Sequence, residues 1–354
     1  MKKILLLISL FIVAVMSAKA ATTAPVDTGK VGTTASPSDP PLIFSGSVDT
    51  YWKYDFSKTG NIPTSFASDQ NSVSIGMIDL GLKKKVGKAA FVGEMSFGPR
   101  SDQSIPTSGY HIQNLYVSYD VTDKFNLTAG YMSTFIGYEV ISPAGNFNYS
   151  TSYLFTNGPF QNAGFKATYA FSDKVSLMAG IFNNYWNVYS SVRSVGASAT
   201  ASGDVSTFGA QLMLAPAKGW TAYLNIASGP YSGTELDLTT AYQITDAFKL
   251  GLNAADFTTS HFGNGFSGVA LYPQLAVSKV VTFGLRGEYF DYKNNGGNVT
   301  AITATANIKA GPLTIIPEVR FDNKSTAFPY TWVDSNNAST NSASQFLIAA
   351  VYAF

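Results

Sequence analysis

The sequence predicts an all-β protein, a transmembrane antiparallel up-and-down β-barrel of about 16 strands with short periplasmic turns and long extracellular loops. Three observations support this fold class. Apolar and aromatic residues alternate with small or polar residues, which is typical of strands that contact lipid on one face. Short turns alternate with longer connections along the chain. Charged residues make up 13% of the chain, a smaller fraction than in soluble proteins, and aromatic residues make up 14%.

The N-terminus is typical of a secretory signal peptide over residues 1–20. Two lysines, Lys2 and Lys3, precede an apolar run at residues 4–16, and Ala18-Lys19-Ala20 fits a cleavage site. The apolar run is shorter than the about 20 residues that a transmembrane helix needs. We therefore expect export and removal of this segment.

Residues 21–41 are small, polar and rich in proline, a composition that cannot bury a core and predicts a flexible periplasmic linker. The barrel is then expected over residues 42–354. Its first strand shows a clean period of two, in which apolar or aromatic residues recur at every second position of 44–56. That period over more than ten residues is what a lipid-facing strand requires.

A repeated turn motif divides the chain into strands. Residues 119–127 match residues 169–177 and, more loosely, residues 242–250. Each copy combines the end of a strand, a turn around an aspartate and the start of the next strand. The turn is predicted there because an aspartate side chain can bond nearby backbone N–H groups. Shorter turns are predicted near 86–88, 216–219, 278–279 and 311–312, and longer connections at about 57–70, 98–109, 139–162, 188–204, 229–233, 259–266, 293–298 and 323–342.

Two positions depart from regular strand patterns. Residues 71–83 switch phase, since Val73, Ile75 and Met77 alternate out of step with the apolar residues that follow from Ile78. Pro273 lies inside a predicted strand and predicts a β-bulge there.

A barrel of this size encloses an aqueous lumen, whereas eight strands would leave the interior filled with side chains. With the apolar rows facing lipid, the opposite rows face the lumen. The predicted pore-lining residues are Asp49, Lys53, Glu94, Asn114, Lys166, Asn225, Glu235, Asp237, Arg286, Glu288, Glu318 and Arg320. A ring of one sign would predict ion selectivity, but this mixture of signs predicts little.

The composition excludes several classes of function. The net charge of +1 gives no electrostatic basis for nucleic-acid binding, and the absence of cysteine excludes disulfides, thiolate metal sites and a lipoprotein anchor. The two histidines, His111 and His261, have no convincing catalytic partners, so neither an enzyme nor a metal site nor another cofactor is expected. Residues 263–268 fit G-x-G-x-x-G outside a strand–helix context and predict a loop.

The chain ends in an alternating strand whose outer row finishes with Tyr352 and Phe354. This ending resembles the C-terminal signal of bacterial outer-membrane barrels, a terminal phenylalanine with an aromatic residue two positions before it. The resemblance implies recognition by the barrel-assembly machinery and insertion into outer-membrane lipid.

Further segments carry a resemblance to a family. Residues 150–160, running into residues 164–169, and the opening residues 44–51 resemble the OmpL-like β-barrel porins, found especially in Bacteroidota. With Phe354 included, the resemblance covers about residues 40–354. It implies a porin-like barrel in the outer membrane of a Gram-negative bacterium and transfers no catalytic residues.

In general diffusion porins the third extracellular loop folds into the barrel and narrows it. By that resemblance, the third long connection predicts a constriction, with Glu139, Asn146, Tyr149, Tyr153 and Phe160 as its candidate residues. A loop that caps the outside of the barrel is the alternative.

The leading functional interpretation is passive diffusion of small hydrophilic solutes through a water-filled barrel. One alternative is a non-transporting adhesin, receptor or scaffold that acts through loops such as 139–162 and 323–342. Another is a barrel hydrolase, which requires His111 or His261 beside a serine and a carboxylate or amide. General porins are trimers, but the sequence shows no interface signature that predicts a homo-oligomer.

Overall fold

The computed structural model describes residues 40–105, 110–183, 204–259 and 264–354. Within these ranges, 16 strands close into an antiparallel barrel in which each strand pairs with its neighbours in sequence and the last strand pairs with the first. The predicted signal peptide, most of the predicted linker and His261 lie outside the described residues. The predicted fold class and strand number are confirmed.

The elements were assigned in chain order. The barrel strands are β1 (Ile43–Asp55), β2 (Ser72–Val86), β3 (Ala89–Phe97), β4 (Ile112–Thr122), β5 (Phe125–Ser133), β6 (Gln161–Ser172), β7 (Val175–Asn183), β8 (Val205–Leu214), β9 (Trp220–Gly229), β10 (Gly233–Gln243), β11 (Phe248–Thr258), β12 (Phe266–Ala276), β13 (Val281–Tyr292), β14 (Gly297–Ala310), β15 (Leu313–Lys324) and β18 (Ser342–Ala353). A small hairpin of β16 (Trp332–Val333) and β17 (Ser339–Thr340) lies in the last loop. The short helices are α1 (Pro99–Ser104), α2 (Tyr153–Asn157) and a 3₁₀ turn at Pro143–Gly145. Among the described residues, no helix has the length and hydropathy to cross a membrane.

The barrel closes between β1 and β18, which pair from Ser47–Ala353 to Asp55–Gln345. The backbone N–H of Phe354 donates to the carbonyl of Gly46 at 2.9 Å, and the N–H of Gly46 donates back to the Phe354 carbonyl at 3.0 Å. The Phe354 ring packs against Phe44 with centroids 5.6 Å apart. The last strand therefore has no free edge, as a spanning sheet requires.

Apolar side chains cover the outer wall of the barrel. Val73 is 81% exposed, and Val117, Phe283 and Phe321 on other strands are more than half exposed. Polar and charged residues fill the alternate positions and point inward. This arrangement, apolar outside and polar inside, is that of a barrel in lipid.

The predicted phase switch in β2 is a β-bulge. Val48 pairs with Ile78 but Thr50 pairs with Ile75, so β2 contains an extra residue at this point. Met77 turns inward, and its N–H donates to the Asp49 carboxylate at 2.8 Å. The bulge returns both halves of the strand to the same outward apolar face.

The bulge predicted at Pro273 is wrong. Leu271 pairs with Gly287 and Gln274 pairs with Gly284, so the register of β12 and β13 is the same on both sides of the proline. Pro273 interrupts two pairs without adding a residue, because a missing N–H removes a hydrogen bond but does not require a shift of register.

The repeated turns are closed by hydroxyl groups. The Thr122 Oγ1 accepts the N–H groups of Lys124 and Phe125 at 3.2 and 3.1 Å, and Ser172, Thr245 and Ser278 accept equivalent bonds in later turns. In the three copies of the repeat the bonding side chain is thus the serine or threonine before the aspartate, and not the aspartate expected from the sequence. The hydroxyl group lies two or three residues before the N–H groups in the sequence and reaches them because the turn leaves them unpaired.

Candidate functional site: the constricted lumen

Loop 3, residues 134–160 between β5 and β6, enters the barrel. Its Ser142 hydroxyl donates to Asp79 on β2 at 2.7 Å, and its Phe147 carbonyl accepts from Asn307 on β14 at 2.8 Å. Tyr149, near the middle of the loop, has no exposed surface. Because the loop contacts strands far apart around the barrel, it fills part of the lumen and does not form an external cap.

Arg286 of β13 is the first of two buried anchors for loop 3. Its guanidinium has no exposed surface and pairs with the Glu139 carboxylate at 2.8 Å. It also donates to the carbonyls of Ser150 at 2.6 Å and Thr151 at 3.2 Å. A buried charge is tolerated when it is paired and hydrogen-bonded, and loop 3 supplies most partners of the two terminal nitrogens, with Thr303 of β14 accepting one bond at 3.3 Å.

Arg320 of β15 is the second anchor. It forms two bonds with the Asp322 carboxylate, at 2.8 and 2.9 Å, and donates to the Thr151 carbonyl at 2.8 Å. Its guanidinium lies 5.1 Å from the ring centre of Tyr153, whose hydroxyl donates to Asp322 at 2.7 Å. Both arginines therefore bind the same carbonyl of loop 3.

Wall carboxylates accept the N–H groups of the irregular loop backbone. Glu318 accepts those of Tyr149 at 2.9 Å and Ser150 at 3.2 Å, and Glu288 accepts that of Leu154 at 3.0 Å. A buried backbone N–H without a partner is costly, and this segment has no strand ladder to pair with. The inward glutamates supply that pairing.

Tyr149 joins loop 3 to a third part of the wall. Its hydroxyl donates to Asp49, and its ring lies 4.8 Å from the guanidinium of Arg100 in α1. Arg100 also lies over Phe66, at 4.5 Å, and donates to the loop 3 carbonyls of Ile141 and Tyr149 at 3.3 Å. The connection before β4, expected to be external, thus contributes a buried arginine.

Desolvation affects the phenols of three tyrosines in loop 3. It raises the pKa of Tyr138 to about 12 and raises the pKa values of Tyr149 and Tyr153 above the ordinary value. The phenols of Tyr149 and Tyr153 donate to the carboxylates of Asp49 and Asp322, respectively.

Glycines on the inward face of the wall receive the aromatic side chains of loop 3. A Cβ at Gly209, Gly251 or Gly284 would overlap the rings of Phe135, Tyr138 and Phe147, respectively. Tyr138 also stacks on Tyr272 with centroids 4.4 Å apart. Without side chains at these three positions, the loop backbone can approach the strands closely.

The tip of loop 3 is a compact uncharged turn. The Asn146 amide closes it, accepting the Val140 N–H at 2.9 Å and donating to the Val140 carbonyl at 2.6 Å. Val140, Ala144 and Gly145 are its exposed residues. The part of the loop that faces open space therefore carries no charge.

The remaining pore-lining candidates fall into two groups. Asp237 accepts the Gly137 N–H at 3.1 Å and bonds from Asn225 and Asn253, while Lys53 and Glu235 are buried in the wall. Glu94, Asn114 and Lys166 line an open cavity of about 540 Å³ together with Lys83, Tyr116, Thr128 and Thr168. Of the twelve candidates, this second group faces open space.

The other sequence candidates lie as follows. Phe160 packs on Phe66 and Phe155, with centroids 5.8 and 5.0 Å apart, and belongs to the core beneath loop 3. Tyr352 and Phe354 lie on the outer face at the β1–β18 closure. Arg100, Asp79 and Asp322 were not predicted as site residues. The glycines on the inner face of the strands, together with a long aromatic loop, are a sequence signal for entry of that loop into the barrel.

The histidine described by the structure does not support the hydrolase alternative. His111 is exposed, and its ring packs against Phe97 in a tilted arrangement with centroids 4.7 Å apart. Over the described ranges, no three His, Asp or Glu residues are grouped in a way that could hold a metal ion.

Comparisons with known proteins agree with this architecture. A family model described as "Putative beta-barrel porin-2, OmpL-like" matches residues 41–354. The fold is similar to that of the anion-selective porin from Comamonas acidovorans, with 14% identity, a TM-score of 0.60 and coverage of 89% of this chain and 99% of that one. It is also similar to the outer-membrane channel DcaP of Acinetobacter baumannii, with 13% identity, a TM-score of 0.59 and coverage of 90% and 99%.

A third solved structure, OprB of Pseudomonas putida, is 10% identical with a TM-score of 0.58, covering 88% of this chain and 94% of that one. No curated protein sequence matches the chain. At these identities the solved structures establish the fold alone, and the family model establishes the family.

Removal of Arg286 alone should release loop 3. In Arg286→Met the Glu139 carboxylate stays buried without its partner, which should lower the free energy of unfolding by about 3–5 kcal/mol. The double variant Glu139→Gln/Arg286→Met removes the charge as well and should be more stable than the single variant. Urea unfolding and proteolysis of loop 3 in detergent micelles would measure both effects. Equal stability of the two variants would contradict the role of this pair.

Filling a glycine site should displace one loop ring. Gly284→Ala places a Cβ against Phe147 and should destabilise the barrel by about 1–3 kcal/mol, as overpacking does. Gly287, on the same strand, has no atom within 4 Å of a Cβ placed there, so Gly287→Ala is the matched control. Thermal unfolding should separate the two variants; an unchanged midpoint for Gly284→Ala would refute tight packing of Phe147.

Proposed function

The chain belongs to the OmpL-like porin-2 family of β-barrels, and from this premise we propose that it admits small hydrophilic solutes by passive diffusion through a lumen narrowed by loop 3. The protein lies in the outer membrane of a Gram-negative bacterium. The solutes are defined by their small size and polarity, and their passage makes or breaks no covalent bond.

The observation that carries the proposal is the division of the lumen into a packed side and an open side. Loop 3 is bound to β13 and β15 by buried charges and to β14 through the Asn307 amide, whereas β3 to β6 and Lys83 of β2 border the open polar cavity. Asn114, Thr128 and Thr168 on that wall offer hydrogen bonds that can replace those of water around a passing solute. Because the loop is anchored, the constriction has a fixed width.

The pore-lining and constriction candidates have different roles in this proposal. Glu94, Asn114 and Lys166 contact the solute path, while Arg286, Glu288, Glu318 and Arg320 set its width by positioning loop 3. Among the loop candidates, Asn146 shapes the tip, Glu139, Tyr149 and Tyr153 attach the loop to the wall, and Phe160 packs in the core beneath the loop.

The alternatives have less support in the described residues. Loop 1, residues 56–71, bonds to the last loop through Asn61 and Val333 at 2.8 and 3.1 Å, and to loop 3 through the Ser65 N–H and Thr156 at 2.9 Å. These loops bind each other, which favours a supporting role over that of an adhesin. The family assignment favours a channel over a hydrolase.

The proposal extends to export, assembly and quaternary structure. Cleavage after Ala20 would release the mature chain, and Tyr352 and Phe354 would present the C-terminal strand to the barrel-assembly machinery. One solved structure of similar fold, OmpT of Vibrio cholerae, is described as a trimer form. A homo-oligomer of this chain is therefore part of the proposal.

A bulky residue at the tip of loop 3 should narrow the pore. Single-channel recordings of the wild-type mature protein in planar bilayers with KCl should show discrete open steps. Ala144→Trp should reduce the step size by roughly half or more, because it extends into the constriction. Ala338→Trp, in the exposed hairpin turn of the last loop, is the matched control and should leave the step unchanged.

A folded wild-type barrel that shows no open steps would refute the diffusion pore. Equal steps for wild type and Ala144→Trp would show that the tip does not border the ion path. Folding of each variant is checked by its resistance to SDS before heating.

A further inference from the structure

We infer that the pore prefers small anions, because lysines dominate the charge of the open lumen on its periplasmic side. The inference rests on the proposed function, since selectivity requires an open pore. The residues concerned are called the lysine zone and comprise Lys83, Lys166, Lys249 and Lys309.

The strand register places all four lysines on the inner wall. Lys83 pairs with Val92, and both line the 540 Å³ cavity with Lys166 and Glu94. Residues two apart on a strand share a face. Lys309 therefore points the same way as Asn307, whose side chain bonds the loop 3 carbonyl of Phe147.

Lys249 is placed by the same argument. It lies two and four positions before Gly251 and Asn253, and these contact Tyr138 of loop 3 and the inward Asp237. The four lysines belong to β2, β6, β11 and β14, so they are distributed around the barrel and do not form one patch. Their charges therefore add inside the lumen.

Few carboxylates oppose the lysine zone. On β2 to β6, which carry Lys83 and Lys166, the described acidic residues of the strands are Asp79, Glu94 and Asp120. Asp120 is already paired with Lys85 at 2.5 Å and accepts a bond from Asn126 at 2.7 Å. Within the described part of the chain, no carboxylate forms an ion pair with a member of the lysine zone. Asp79 accepts hydrogen bonds from Ser47 and from Ser142 of loop 3, which leaves Glu94 as the acid that lines the open cavity with the lysines.

The acidic residues nearer the extracellular side do not cancel this charge. Glu139 and Asp322 are paired with the buried arginines, and Glu288 and Glu318 accept N–H groups of loop 3. All four are buried between loop 3 and the wall. The mixture of signs in the sequence thus separates into acids that hold the loop and lysines that face the open lumen.

A narrow lumen with a low-dielectric wall strengthens the field of such lysines. Positive charge along the path raises the local concentration of anions and lowers that of cations. The ligand class is small anions, such as chloride, inorganic phosphate and short carboxylates. Each would pass between the lysine zone and the uncharged tip of loop 3.

The test is the zero-current potential of the full mature protein in planar bilayers under a KCl gradient. The KCl concentration on the dilute side is kept at about 0.1 M, where the Debye length is about 10 Å and the charges of the lysines are not fully screened. Wild type should give a chloride-to-potassium permeability ratio above one. Lys83→Gln/Lys166→Gln/Lys249→Gln should lower this ratio by roughly twofold or more, and Glu94→Gln should raise it.

Lys84→Gln is the matched control, because Lys84 neighbours Lys83 but shares the outer face with Phe91, Val117 and Tyr119. Its permeability ratio should equal that of wild type. Open steps with cation preference, or a triple variant as anion-selective as wild type, would overturn the inference while leaving the diffusion pore intact. Open steps in each variant also demonstrate that it has folded, so a change in ratio cannot come from misfolding.

Discussion

The need to satisfy buried polar groups inside the barrel determines the arrangement of the lumen. Loop 3 takes an irregular backbone into the barrel, and its N–H and carbonyl groups lose water there. Arg286, Arg320, Glu288 and Glu318 replace that water from the wall. Because each of these side chains would itself be costly to bury unpaired, the loop and the wall stabilise each other. The constriction, its width and its uncharged tip all depend on this exchange of hydrogen bonds.

Much of the fold follows from local patterns. Alternation of residue type determines which face of a strand meets lipid, and the turns determine the strand number, so the barrel could be predicted from the sequence. The β2 bulge was also predictable, because an extra residue changes the phase of the apolar row. The outcome at Pro273 was not, since the same local sequence suits either a bulge or an interrupted pair. Strand periodicity cannot distinguish these two.

The site could be predicted only in part, because periodicity determines the face of a residue and not its partner. Periodicity assigns Arg286 to the inner face of its strand, but its pairing with Glu139 joins residues 147 positions apart. Arg100 carried no such signal, since it lies in a short helix of a connection expected outside the barrel. The division between loop-binding acids and open lysines likewise required the loop position. The inference that the lumen prefers anions rests on that division.

The central claim, that loop 3 is bound to the barrel wall, is tested most directly by hydrogen–deuterium exchange of the folded protein in detergent. The amides of Tyr149 and Leu154 donate to buried glutamates, whereas those of residues 335–336 lie in an exposed turn. We expect peptides covering residues 147–155 to exchange as slowly as the barrel strands. Exchange as fast as that of the exposed turn would contradict the account, because it would place loop 3 in water.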